Sequence, residues 1–254
     1  MSNKQIWKEI FYLSIFFFVL LIFYPGASET QNANKEADRI EGGFLLYYER
    51  AYTAYPSDPQ TALENAVKAQ MLALYDIARV ADASSHRAWI EYKENMVPIF
   101  KWGIYHPQEY QKDLKRAVKW GKAAKPPDYR PDWMIFYGKG RLLVQDEEID
   151  FNPYREDLDS KKAWARTIAT LEAFANDELT WDKLNEAVKP ENAFKTLKSS
   201  ANMLVREYGR HLAREDLDQI KSIIDGMLEN FHTMKEPIPD RMFKISNEIE
   251  QIFL

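Results

Sequence analysis

Apolar residues recur every three or four positions along most of this chain, which is the period of an amphipathic α-helix. Similar stripes run through residues 59–83, 160–175, 194–208 and 217–231, and prolines or glycines separate most of the helical segments. Short connections of this kind usually join helices that pack antiparallel to their neighbours. The pattern therefore predicts an all-α fold of antiparallel helical hairpins, stacked as a short solenoid-like array or as a bundle.

Capping residues and prolines predict where several helices begin, end or bend. Ser57 or Asp58 can cap a helix that starts with Pro59, because a first-turn residue needs no backbone N–H. Pro98 is expected to kink or split the helix predicted over 88–104. Later helices have N-cap residues of the same kind, at Ser160, Thr180 and Asp240.

The stretch 133–144 fits two local structures. Its Gly138-Lys139-Gly140 segment could turn a β-hairpin, or the two glycines could interrupt a helix. A helix is the favoured prediction, because the neighbouring segments are helical and an isolated hairpin is marginally stable. The acidic stretch 145–159 has Pro153 in its middle and is predicted to be a loop.

A continuous apolar run, Ile10 to Tyr24, precedes the periodic part of the chain. As a helix it is about 22 Å long, which suits a signal peptide better than a bilayer core of about 30 Å. Ile6 and Trp7 lengthen it, and Lys8 can place its ammonium group at the interface, so a retained anchor is the favoured prediction. The predicted anchor residues are Trp7, Phe11, Phe17, Leu20, Phe23 and Tyr24.

Either interpretation of this run puts the rest of the chain outside the cytoplasm, because Lys4 and Lys8 stay on the cytoplasmic side. We expect a single-pass protein of the inner (cytoplasmic) membrane with its C-terminal part facing the periplasm or the exterior. The alternative is a secreted or periplasmic protein after signal cleavage. The predicted organisation is an anchor or signal over 1–28, a tether and first helix over 29–58, and an extracytoplasmic helical domain over 59–254.

Composition and motifs narrow the chemistry. The chain has no cysteine, which excludes disulfides, zinc fingers, iron–sulfur sites and thiol catalysis, and its net charge of −5 argues against nucleic-acid binding. P-loop, GxGxxG, GxSxG and HExxH patterns are absent. His211 and Glu215 are four residues apart and make a minimal metal half-site, for which a solvated ion pair is the favoured interpretation. The sequence therefore predicts no catalytic, cofactor or metal site, and the protein is not expected to be an enzyme.

A change of charge along the chain fits either an ordinary solvated helix face or an oriented docking surface. Residues 112–141 carry nine basic and three acidic side chains, whereas residues 146–159 carry seven acidic side chains and one arginine. Steps of this size can orient a protein partner, and Trp is a favoured interface anchor. The predicted partner-binding residues are Lys112, Lys115, Arg116, Lys119 and Lys122, with Trp120 and Trp133.

Trp181 and Leu184 match two positions of the tetratricopeptide pattern, while Asn185 stands where that pattern has glycine. Helical pairs also recur at about 35–45 residues, the range of tetratricopeptide-like and HEAT-like arrays. The chain thus resembles tetratricopeptide-like helical-repeat proteins in architecture, a resemblance that carries over no functional residues. A non-repetitive helical bundle is the other fold that the pattern allows.

Three functional hypotheses follow from these features, and the third is a hydrolase whose catalytic residues come together only in the folded chain. The first is a non-catalytic structural or assembly subunit that binds other protein subunits of a membrane-associated complex on the extracytoplasmic side. The alternative is an exported small-molecule or glycan-binding protein that uses the aromatic-rich region 89–137.

Overall fold

The described part of the chain is all-α, as predicted. A computed structural model describes residues 43–55, 57–135, 152–211 and 213–253 of the 254. Within those ranges no strand is formed, and a β-bridge joins Val80 to Tyr154. No helix in them is long and apolar enough to span a bilayer. The predicted anchor residues and the 29–42 part of the tether lie outside the described residues.

Amphipathic helices account for most of the described residues. They are α1 Gly43–Ala54, α2 Pro59–Arg79, α3 Arg87–Tyr105, α4 Pro107–Ala123, α5 Ser160–Ala175, α6 Glu178–Ala187, α7 Pro190–Tyr208, α8 Arg214–Asn230 and α9 Ile238–Gln251. Shorter pieces are the 3₁₀ segments Ala83–His86 and Gly209–His211 and the helical turn Asp132–Ile135.

These helices group into two compact units. Of the described residues, those within Ala27–Ile104 and Gln108–Asp177 form the N-terminal unit, which contains α1, α2 and α5 and nearly all of α3 and α4. The C-terminal unit consists of Tyr105–Pro107 and the described residues of Glu178–Leu254, with α6 to α9. The sequence pattern had left 59–254 undivided.

The N-terminal unit is built around α2. The predicted stripe residues Leu63, Val67 and Met71 are completely buried in α2. Phe44 of α1 is also completely buried and stacks on Trp133 with ring centroids 4.0 Å apart. Gly43 begins α1 at a φ of +59°, and a Cβ there would lie 2.7–2.9 Å from ring atoms of Tyr129. The first helix is thus held by aromatic packing that needs a glycine at its start.

Several helix starts differ from the prediction by one to three residues. Asp58 caps α2 as predicted, by accepting a 3.0 Å hydrogen bond from the Thr61 N–H. The cap of α5 is Asp159 instead of Ser160, because its carboxylate accepts hydrogen bonds from two backbone N–H groups. Thr180 and Asp240 lie in the first turns of α6 and α9 and are not N-caps, since those helices begin at Glu178 and Ile238.

Of the two effects predicted for Pro98, a split of the helix does not occur, because α3 continues from Arg87 to Tyr105. Pro98 and Glu94, whose carbonyl would have bonded to the missing N–H, are both exposed. Water can therefore satisfy that carbonyl, and the buried side of the helix at Met96 and Ile99 keeps its packing.

The stretch 133–144 is described only at its start. Trp133 and Met134 belong to the helical turn Asp132–Ile135, and both side chains are buried. The remainder, with the predicted helix or hairpin, lies outside the described residues. Residues 152–159 form no helix or strand, as predicted for this end of the acidic loop.

The C-terminal unit has its own apolar core. Ala193, Leu197 and Ala201 of α7 pack in one cluster with buried residues of α8 and α9. The remaining buried members are Tyr105, Ile224, Leu228, Phe231, Met242, Ile245 and Ile249. Nε2 of His106 lies 3.1 Å from Oδ1 of Asp240 within the same unit.

Candidate functional site

The sequence pattern of α4 separates an apolar inner face from a basic outer face. Pro107 occupies the first turn, where its missing N–H is tolerated. Tyr110, Leu114, Ala117 and Val118 are buried on the inner face, as the spacing predicted. The outward face is therefore fixed by packing on the opposite side of the helix.

Close packing at Gly121 fixes the C-terminal end of α4. A Cβ at this position would lie 2.8 Å from Sδ of Met71 and 3.2 Å from Cγ1 of Ile168. The carbonyl oxygen of Gly121 accepts a 3.0 Å hydrogen bond from the buried indole N–H of Trp164. α4 is thus held between α2 and α5 by contacts that leave little room for rotation.

The outer face of α4 presents amides and cations, and we call it the α4 basic face. A shallow groove of about 360 Å³ runs along it, lined by Gln108, Gln111, Lys112, Lys115, Arg116 and Lys119. The lysines and the arginine of this set are exposed. Lys122 continues the row one turn further and is also exposed.

Some cations of the α4 basic face already have acidic neighbours. Arg116 lies 3.2 Å from Asp113 and 3.7 Å from Glu64, and Lys122 lies 2.5 Å from Glu172. Among the described residues, no carboxylate lies within 4.0 Å of the ammonium group of Lys112, Lys115 or Lys119. These three lysines form a row of positive charge without a salt bridge in the described structure.

Asp113 is a buried residue of α4 that forms an ion pair with Arg116 on the basic face. Its side chain is buried, and Oδ2 accepts a 2.5 Å hydrogen bond from the Gln60 amide. Burial, with the nearby Glu64 carboxylate, raises the pKa of Asp113 to about 6, against the opposing effect of Arg116. Asp113 is therefore a packing residue that orients Arg116.

The two predicted aromatic anchors, Trp120 and Trp133, differ in their exposure to solvent. Trp120 is half-buried, with its ring centroid 5.4 Å from that of Tyr47 and 5.9 Å from Nζ of Lys68. Trp133 is only 7% exposed and is part of the core. Trp133 is therefore not available to a partner as a surface anchor, and local aromatic density could not reveal this.

A buried polar cluster around Asp76 was missed by the sequence analysis. Asp76 is completely buried, and its Oδ2 accepts hydrogen bonds from Trp133 Nε1 at 2.9 Å and the Tyr129 hydroxyl at 2.7 Å. Arg79 lies 3.4 Å from Oδ1 and also donates to the Tyr129 carbonyl. Burial raises the pKa of Asp76 to about 7, although the hydrogen bonds and Arg79 oppose the rise.

The arrangement of the Asp76 cluster is that of a structural clamp. Every polar group named in it is satisfied by another residue of the N-terminal unit. One sequence signal existed, namely a carboxylate on the helix face that also carries Leu72 and Val80, both of which are buried. Two of its donors, Tyr129 and Trp133, come from more than fifty residues later, which a local pattern does not connect.

The last kind of site to consider is a metal site formed by the described residues. No group of three or more His, Asp or Glu side chains there is arranged to hold a metal ion. The side chain of His211, half of the minimal pair with Glu215, lies outside the described residues. No protein-family model, curated protein or solved structure matches this chain.

Proposed function

We propose that this protein is a non-catalytic assembly subunit that binds other proteins of a membrane-associated complex through the α4 basic face. The observation that carries the proposal is the row formed by Lys112, Lys115 and Lys119, exposed and without a salt bridge in the described residues. Such lysines can pair with a partner's carboxylates without breaking an existing ion pair. Complementary charge of this kind steers association and fixes orientation.

The tight packing of α4 also favours a role of the α4 basic face in binding partner proteins. The inner face of α4 is buried, and the contacts at Gly121 leave little space for movement. A surface that is ordered before binding loses less conformational entropy when a partner arrives. Half-buried Trp120 adds an apolar edge near the end of the row.

A stacked helical array is the architecture that we propose for the N-terminal unit. Three contacts between α2 and α4 advance in the same direction along both helices, as expected for alternate helices of such an array. These are Gln60 with Asp113, Glu64 with Arg116, and Met71 with Gly121. Arrays of this type present extended surfaces to partner proteins.

The proposed location is the extracytoplasmic side of the inner membrane, with the apolar run Ile10 to Tyr24 as a retained anchor. The chain has no cysteine, so one introduced at exposed Lys162 would be the sole thiol. A membrane-impermeant maleimide should label Lys162→Cys in intact cells. Labelling that requires cell lysis would contradict the proposed topology.

The glycan-binding alternative has less support from the aromatic region. Trp89, Tyr105, Tyr110 and Trp133 of this region are each less than 10% exposed. Their rings pack against neighbouring helices and are not arranged along an open groove. The aromatic density thus has a sufficient explanation in core packing.

Native purification in mild detergent tests the proposal. The wild-type chain should elute with other proteins in a complex of defined size, and Lys115→Glu/Lys119→Glu should lose them. Lys195→Glu/Lys198→Glu is the matched control, because these two exposed lysines are three residues apart, close to the four-residue spacing of Lys115 and Lys119, but lie on α7. A monodisperse wild-type monomer without other proteins would overturn the proposal.

A further inference from the structure

The outward face of α8 carries acidic side chains around small residues, and we call it the α8 acidic face. Its exposed acids are Glu215, Asp218, Asp225 and Glu229. At its centre lies Gly226, where an added Cβ would meet no described atom within 4 Å. Glycine inside a helix lowers helix stability, and no packing against the described residues explains this one. Ser222, one turn earlier, is exposed and also small.

The α8 acidic face matches the α4 basic face in charge and in spacing. Lysines on α4 lie at positions i, i+3 and i+10, which are Lys112, Lys115 and Lys122. Acids on α8 have the same spacing, at Glu215, Asp218 and Asp225. Both sets extend about 15 Å along a helix. Two helices laid side by side could therefore pair these charges in one register.

We propose that the α8 acidic face of one copy docks on the α4 basic face of a second copy. This inference rests on the proposed function, because it takes α4 as a docking surface and names a second copy as one of its partners. The two surfaces differ, so the contact is head-to-tail. Repetition of such a contact closes into a ring or continues as a chain.

The expected strength of this contact follows from its composition. Exposed ion pairs are individually weak and are screened by salt. Lys122 and Asp218 already have exposed ion-pair neighbours, Glu172 and Lys221, whereas Lys115 and Lys119 have none among the described residues. The small residues Ser222 and Gly226 let the two helix backbones approach closely. We therefore expect association at low ionic strength that is weak and salt-dependent.

Sedimentation velocity of the full chain in mild detergent measures this association. The wild type should form dimers or larger species at about 50 mM NaCl and dissociate at about 500 mM, where screening is strong. Lys112→Glu/Lys115→Glu and, separately, Glu215→Lys/Asp218→Lys, whose reversed side chains face one another in the proposed register, should raise the dissociation constant at least about tenfold. The control Lys195→Glu/Lys198→Glu should associate as the wild type does.

Mixing the two charge-reversed variants is the decisive step. In either variant alone, the reversed side chains on one helix meet side chains of the same charge on the other helix of a second copy. In the mixture, the reversed side chains on α4 of one variant meet oppositely charged side chains on α8 of the other. The mixture should therefore regain the oligomer that both variants lose. A wild type that stays monomeric at low salt, or a mixture that does not recover, overturns the inference. If other proteins still co-purify through α4 in that case, the proposed function stands without it.

Discussion

The indole N–H of Trp133 donates a 2.9 Å hydrogen bond to the buried Oδ2 of Asp76, 57 residues earlier in the chain. The same indole ring stacks on Phe44 of α1. One side chain therefore links α1, α2 and the helical turn Asp132–Ile135 within the N-terminal unit. This link explains why a residue predicted as a partner anchor is a core residue.

Loss of this hydrogen bond should be measurable as lost stability. Trp133→Phe keeps an aromatic ring against Phe44 but leaves Asp76 without one donor, and should lower the free energy of unfolding by about 1.5–3 kcal/mol. Chemical denaturation measures the loss. Trp120→Phe is the matched control and should cost less, because Trp120 is half-buried and its indole N–H makes no hydrogen bond that the described structure shows. Equal losses in both variants would contradict the assigned role of Asp76.

Asp76 should also make stability depend on pH. Burial raises its folded-state pKa from a usual 3.8 to about 7, so the folded protein binds more protons than the unfolded chain between those values. The free energy of unfolding should therefore fall as pH rises from about 4 to about 7 and level off above, by at most about 1.4 kcal/mol per pH unit.

Comparison with Asp76→Asn isolates this effect from other titrating groups, including Asp113. Urea denaturation at several pH values should show the difference in stability, wild type minus variant, falling across the same window. A difference that stays constant or rises with pH would show that Asp76 is not buried with a raised pKa.

Two glycines should respond oppositely to alanine. Gly226→Ala should raise the free energy of unfolding by about 0.5–1 kcal/mol, because its site is open and helical. Gly43→Ala should lower it by about 1–3 kcal/mol, since its φ of +59° is strained for alanine and its Cβ would contact the Tyr129 ring. Thermal or chemical denaturation of both variants checks the pair. A stabilising Gly43→Ala would contradict the described packing of α1.

Charge reversal on α4 should leave folding almost unchanged. Lys115→Glu/Lys119→Glu alters two exposed side chains without ion pairs in the described structure, and should change the free energy of unfolding by less than about 0.5 kcal/mol. Circular dichroism and denaturation measure this. A large loss of stability would mean that the row has a structural role, and its effect on complexes would then need another explanation.

Sequence periodicity predicted the helices well, because burial of one face repeats with the helical period. In α2 it identified Leu63, Val67 and Met71, which are completely buried. It continued the stripe to Ile77, whereas the buried residue there is Asp76. Asp76 is stabilised by donors from distant residues, so a rule based on neighbouring positions assigns it to the surface.

The basic face was also visible in the sequence, since its lysines alternate with the apolar positions of α4. The sequence could not show which cations have acidic neighbours, because Glu64 and Glu172 come from other helices. The acids of α8 were likewise readable, but their exposure around an open Gly226 required the structure.

Photocrosslinking in intact membranes tests the central claim most directly. A photoreactive amino acid placed at Lys115 or Lys119 should form crosslinks to proteins of one complex, and the same probe at Lys195 on α7 should not. Crosslinks confined to lipid, or none at either α4 position, would contradict the claim that α4 is a protein-docking surface.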